Sequence, residues 1–168
     1  MKRSIIKTLY VLAVVAVFVV LSKSEVCAQV VIKINEIHPS DEWVELYYSG
    51  TGDDSPGSCI LYLHSDDTQK VELTPEDIVN TFEVITWSGT KLNNSGDHVR
   101  LVCDTNTDTI SYGDVQNPTV PAPDSGYSIG RSPDGYGNIF VLASVTQGGP
   151  NSGPPAPIPT STPTPTPT

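Results

Sequence analysis

The chain has 168 residues, with 9 Lys+Arg against 19 Asp+Glu and a formal net charge of −10. A surface of this sign repels a phosphate backbone, because nucleic-acid affinity depends on cationic side chains that displace counterions. Nucleic acid is therefore excluded as a partner.

Lys2, Arg3 and Lys7 open the chain, an uncharged run follows from Thr8 to Ser22, and Val26-Cys27-Ala28 has the small residues of a signal-peptidase site. The run is shorter than the roughly 20 residues that span a bilayer. We expect residues 1–28 to be a cleaved signal peptide, a mature chain that begins near Gln29, a secreted or cell-surface location, and no membrane contact after cleavage. Val26 does not suit a lipoprotein signal at Cys27. Cleavage leaves 5 Lys+Arg against 18 Asp+Glu, a net charge of −13.

From Gln29 to about Gly148 the composition is globular, and short apolar runs recur. Val31–Ile37 and Trp43–Tyr48 come first, joined by a Pro-containing turn. In the second run Val44, Leu46 and Tyr48 share one face, while Trp43, Glu45 and Tyr47 share the other. Further strands are expected at Cys59–Leu63, Lys70–Leu73, Phe82–Trp87, His98–Cys103, Thr109–Tyr112, Tyr127–Arg131 and Ile139–Val145, separated by turn-forming clusters rich in Gly, Asn, Asp and Pro. Only TPEDIVN, residues 74–80, looks helical, with Thr74 as cap and Pro75 at the first position. Seven to nine short strands in this length predict an all-β, immunoglobulin-like sandwich spanning residues 29–152. Residues 153–168, GPPAPIPTSTPTPTPT, carry no apolar periodicity and are expected to be an extended Pro/Thr-rich linker, disordered and open to O-glycosylation. The sequence stops within the repeat, which fits either a fragment of a longer protein or a free domain with a frayed end.

Three segments, taken together and in order, resemble the lamin tail domain family in its exported bacterial and archaeal form. These are INEIHPSDEWVELYYSG, LNNSGDHVRLVCDTNTDTISYGD and GYSIGRSPDGYGNIFVLASVTQGGPNSG. They cover nearly all of residues 30–152. The departure lies in the middle, where a Leu-x-Gly-Trp strand common in the family is replaced by Ser58-Cys59-Ile60-Leu61-Tyr62-Leu63, leaving the pairing of residues 57–81 open. The resemblance implies an attachment or interaction module, often found beside hydrolases, without a catalytic constellation of its own. Fold analogy by itself carries no activity.

Several residue groups are weighed as sites. Cys59 and Cys103 fit either a disulfide, which would close a loop of about 45 residues and contribute roughly 4 kcal/mol in the chain-entropy account, or two buried thiols. Asp104, Asn106 and Asp108 imitate the first half of a calcium loop, but Thr109 and Val115 stand where that loop needs Gly and Glu; a hairpin turn is the simpler expectation. Asp41, Glu42, Asp53, Asp54, Asp66 and Asp67 are expected to be solvated loop acids. His38, His64 and His98 lack ligand spacing for zinc. Ser95, Asp97 and His98 include triad residue types, yet neighbours in one turn and strand point apart. Trp43, Glu45 and Tyr47 are a candidate binding surface for a sugar ring or a protein partner, set against packing beneath a second sheet or the C-terminal segment.

The expectation for function is a non-enzymatic exported module that binds protein or cell-surface polysaccharide, or spaces another domain from the surface. The alternatives are an accessory domain of a secreted hydrolase and a calcium-dependent carbohydrate-binding module. No cofactor is expected beyond that calcium.

Overall fold

A computed structural model describes residues 30–50, 55–104 and 106–152. The signal region with Cys27, the acids Asp53 and Asp54, and the Pro/Thr segment from residue 153 lie outside the described residues.

Nine strands form two antiparallel sheets. The first sheet holds β1 (Ile32–His38), β2 (Trp43–Tyr48), β5 (Phe82–Thr86), β8 (Ser128–Ser132) and β9 (Asn138–Leu142), in the order β5-β2-β1-β8-β9. The second holds β3 (Cys59–Tyr62), β4 (Lys70–Leu73), β6 (Gly96–Cys103) and β7 (Asn106–Gly113), in the order β4-β3-β6-β7. The architecture is a β-sandwich, as the spacing of apolar runs predicts. Alternation decides the facing. Ile34, Ile37, Val44 and Leu46 from one sheet and Leu61, Val99, Leu101 and Ile110 from the other are all fully buried in a single cluster. Removing each such side chain from water contributes roughly 1.5–3 kcal/mol.

Departures from the expected boundaries have local causes. TPEDIVN forms a single 3₁₀ turn, Pro75–Asp77, because the Asp77 carboxyl accepts from both the N–H and the hydroxyl of Thr74 and closes the turn on itself. β7 begins three residues earlier than its apolar pattern suggests, since backbone pairing with β6 runs from Gly96↔Gly113 to Cys103↔Asn106 whatever the side chains. β5 stops before Trp87, whose indole N–H donates to Glu42. β9 stops at Leu142 rather than Val145, where the chain leaves the sheet. The unassigned middle resolves as β3 between β4 and β6.

One glycine is required by a close approach. Gly113 has φ +66°, and a Cβ there would sit 2.0 Å from the Ser95 carbonyl oxygen. That crossing seats the NSGD turn, in which Asn93 Oδ1 accepts from the Ser95 N–H and Asp97 accepts from the Asn93 and Ser65 N–H groups.

Cys59 and Cys103 stand directly opposite each other in the β3/β6 register and are joined in a disulfide across 44 residues of sequence. Adjacent antiparallel strands present opposed side chains on the same face, so pairing alone brings the two sulfurs together. Replacing both cysteines with alanine is expected to lower unfolding stability by roughly 2–4 kcal/mol, read as a shift in the denaturation midpoint. An unchanged midpoint would mean that the bond adds nothing to the core.

Candidate functional site: a polar clasp on the outer face of the five-stranded sheet

Strict alternation along β1 would send Glu36 into the core. Instead the β1/β2 register slips between Ile34 and Glu36, a bulge that lets Ile34 and Ile37 both face inward. The extra residue turns Asn35 and Glu36 together onto the outer face. There Glu36 stands directly opposite Glu45 of β2.

Both carboxyl groups are completely buried, together with Asn35. Burying such groups costs several kcal/mol unless every polar atom finds a partner. The partners come from the segment after β9. Glu36 accepts from the Thr146 hydroxyl at 2.7 Å, from the Thr146 N–H, and from the Ser128 hydroxyl. Glu45 accepts from the Gly148 N–H at 2.7 Å and from Asn35 Nδ2 at 2.9 Å. Asn35 Nδ2 also donates to Asp134, and its Oδ1 accepts the Gly135 N–H. Asn151 closes the circuit: its Nδ2 donates to the carbonyls of Asn35 and Arg131, its N–H donates to Asp134, and its Oδ1 lies 2.7 Å from the Thr146 hydroxyl oxygen, whose one hydrogen is shared between it and Glu36. Residues 146–151 are thus clasped to β1, β2 and the β8–β9 hairpin.

Beside the clasp, Arg131 links the two sheets. Its Nη2 donates to both oxygens of Asp108 at 2.8 and 2.9 Å, and its Nε donates to the Ile34 carbonyl within the bulge. Asp108 also accepts the Ile34 N–H at 2.9 Å. The calcium-loop pattern is not realised in this arrangement. Asp108 is a strand residue whose oxygens face Arg131 and β1, and the Asn106 amide lies between Lys33 and the Ile32 carbonyl. Asp104 lies at the end of β6, near Gly57. Among the described residues no group of three or more His, Cys, Asp or Glu side chains is placed to hold a metal ion.

The candidate binding surface Trp43, Glu45 and Tyr47 lies on the outer face, as alternation predicts, but it is not an open surface. Trp43 is buried and stacks on His38 at 5.4 Å, and Glu45 is sealed beneath Gly148. Only Tyr47 keeps partial exposure. Glu42 departs from the expectation of a solvated acid: its Oε2 accepts from the Trp87 indole and from the N–H groups of Lys91 and Leu92. Asp41 stays exposed beside His38, Asp66 pairs with His64, and Asp67 pairs with Arg100. His38, His64 and His98 lie in separate places, with His38 Nδ1 accepting the Asp41 N–H. The triad types do not converge either, since the Ser95 hydroxyl donates to Asn93 and Asp97 accepts backbone N–H groups.

Glu36, Ser128, Arg131, Thr146 and Asn151 were not legible as one site from spacing alone. Glu36 stands in INEI, Ser128 and Arg131 in Ser-x-x-Arg and Asn151 in Gly-Pro-Asn, in the first and third of the quoted segments, but nothing in the sequence joins these positions. Chemically the clasp resembles a paired-carboxyl acid and base. It differs in access, because its oxygens receive protein donors and none faces solvent.

Burial pushes the Glu45 carboxyl up from about 4.5 to about 7; hydrogen bonds from Asn35 and Gly148 pull it down, and Glu36 across the strand pair adds to the rise. The folded chain then holds a proton that the unfolded chain has already lost above about pH 4.5. Stability should therefore fall as pH rises from about 4.5 to about 7, on the order of 1–3 kcal/mol from this residue. Glu45→Gln should flatten that slope. Denaturant unfolding at a series of pH values checks it, and equal slopes in both proteins would refute the assignment. Because the Asp108 oxygens are engaged by Arg131 and Ile34, calcium in place of chelator should leave the thermal midpoint unmoved. A rise of several degrees would contradict this assignment. No protein-family model, curated protein or solved structure matches the chain, so its function has to be argued from these contacts.

Proposed function

We propose that the chain is an exported, non-enzymatic β-sandwich module of the lamin-tail type, which binds or attaches at the cell surface and spaces what it carries. The observation that carries this reading is the use made of Glu36, Glu45, Asn35 and Asp134. The three carboxyls are groups equipped for acid–base chemistry, and each is spent on fastening residues 146–151 to the sheet, with the Asn35 amide bridging Glu45 and Asp134.

A nucleophile or general base must reach a substrate atom within hydrogen-bond distance. A carboxyl that is closed off by a backbone N–H and has no exposed surface does not meet that requirement. Recognition is left to loops, strand edges and half-exposed aromatic rings, which suits a module that binds without turnover. The acidic surface disfavours anionic polymers, so a protein or a neutral cell-surface polysaccharide is the partner class that fits.

Co-sedimentation of the purified chain with intact cell envelopes, alongside product analysis on polysaccharide, peptide and ester substrates, tests the proposal. The expected outcome is retention with no product released. Turnover that disappears in Glu45→Gln while the fold is kept would replace the module with an enzyme.

A further inference from the structure

Residues 146–151 are fastened to the five-stranded sheet by polar contacts, and no residue from Ala143 to Ser152 is buried. The segment therefore adds no side chain to the apolar core. An element held in this way opens at a lower free energy than the strands that carry the core. Its cover over Glu36 and Glu45 is nonetheless complete, since both are fully buried beneath it.

The covered groups are a like-charged pair served by neutral donors. Glu36 faces Glu45 across the strand pair. Their donors are the hydroxyls of Ser128 and Thr146, the N–H groups of Thr146 and Gly148, and the Asn35 amide. Among the described residues no Lys, Arg or His forms an ion pair with either carboxyl. The Arg131 guanidinium is turned onto Asp108 instead. The other titratable groups around the pair are Asp134, which Asn35 links to Glu45, then His38 stacked on Trp43, and Tyr47 with Tyr136 against it. Val84, the β5 partner of Glu45, and residues 146–151 bring none. Two ionised carboxylates would face each other here without a counter-charge, so the closed arrangement favours one retained proton.

Burial is the largest cause that raises the Glu45 carboxyl to about 7, ahead of the hydrogen bonds that lower it and the Glu36 charge that adds to the rise. Residues 146–151 supply much of that burial. Lifting them is the smallest displacement that returns both carboxyls to water, and no apolar surface between the sheets has to open. Between about pH 4.5 and 7 such lifting releases the proton, so the ratio of open to closed forms rises by up to about tenfold per pH unit and levels off above that interval.

We propose that residues 146–151 form a proton-dependent latch, closed on the sheet while Glu36 and Glu45 share a proton and lifted from it, with both sheets intact, once the pair is fully ionised. The point at which the chain leaves the sandwich then moves from Asn151 back to Leu142. The latch stands apart from the partner class suggested above, because every contact in it lies within the chain.

Hydrogen exchange of the chain from Gln29 to Thr168, followed by NMR and corrected for the intrinsic rate at each pH, tests it. Protection of the Thr146 and Gly148 amides should fall by about tenfold or more between pH 5.5 and 7.5. Low urea that speeds exchange of the Leu101 amide in β6 should leave theirs unchanged, because a local opening exposes little surface. In Glu45→Gln both amides should be equally protected at the two pH values. Gly148→Pro removes the N–H that seals Glu45 without altering a buried side chain. There Thr146 should be unprotected at both pH values, and the Glu45 carboxyl carbon should titrate in the ordinary carboxylate range. Equal protection at both pH values in the unaltered chain would overturn the proposal. So would Thr146 and Gly148 exchange that rises with urea in step with Leu101, or a Glu45 carboxyl that still titrates near 7 in Gly148→Pro.

Discussion

Two carboxyl groups, Glu36 and Glu45, are held face to face across β1 and β2 with no exposed surface, and much of the outer architecture answers to that arrangement. Left alone the pair would be costly, since each buried oxygen without a donor forfeits its hydration. The chain meets the cost by folding residues 146–151 back over the sheet, so that the Thr146 and Gly148 N–H groups supply what water would have supplied. The same requirement recruits Ser128, Asn35 and Asn151. A half-satisfied network would be worse than an apolar one. Among the described residues no buried side-chain polar atom lacks a partner.

The bulge in β1 is the geometric device that permits the pair. It also places the Ile34 N–H and carbonyl where Asp108 and Arg131 reach them. One irregularity in one strand thus serves the core, through Ile34 and Ile37, and the inter-sheet link. Apolar burial holds the sheets together, the Cys59–Cys103 bond ties the second sheet within itself, and polar contacts from Asp108 and Asn106 of β7 to Arg131, Ile34 and Ile32 cross between the two. The acids that set the net charge divide accordingly. Asp66, Asp67 and Asp41 remain at the surface, while Glu42, Asp97 and the clasp carboxyls gather backbone N–H groups that loops and turns would otherwise leave unpaired.

The strands were legible because burial on one face imposes a period of two, and turns announce themselves through Gly, Asn, Asp and Pro. Trp43, Glu45 and Tyr47 were correctly grouped on one face for that reason. Their burial was not legible, because a strand pattern says which way a side chain points and nothing about what a segment a hundred residues later lays over it. Glu42 misled for a related reason: a loop acid preceded by Asp41 looks solvated, and only the return of residues 87–92 shows that it receives three donors.

By itself the sequence determined the all-β class, the strands, the facing of β2 and the acidic balance of the chain. These are properties of local alternation and summed charge, which need no knowledge of distant contacts. The tertiary structure alone decided that Cys59 and Cys103 meet, that Asp108 serves Arg131, and that Glu36 and Glu45 form a sealed pair. Those outcomes depend on strand order and on a one-residue slip in register. A slip of that size reverses which face every later side chain occupies.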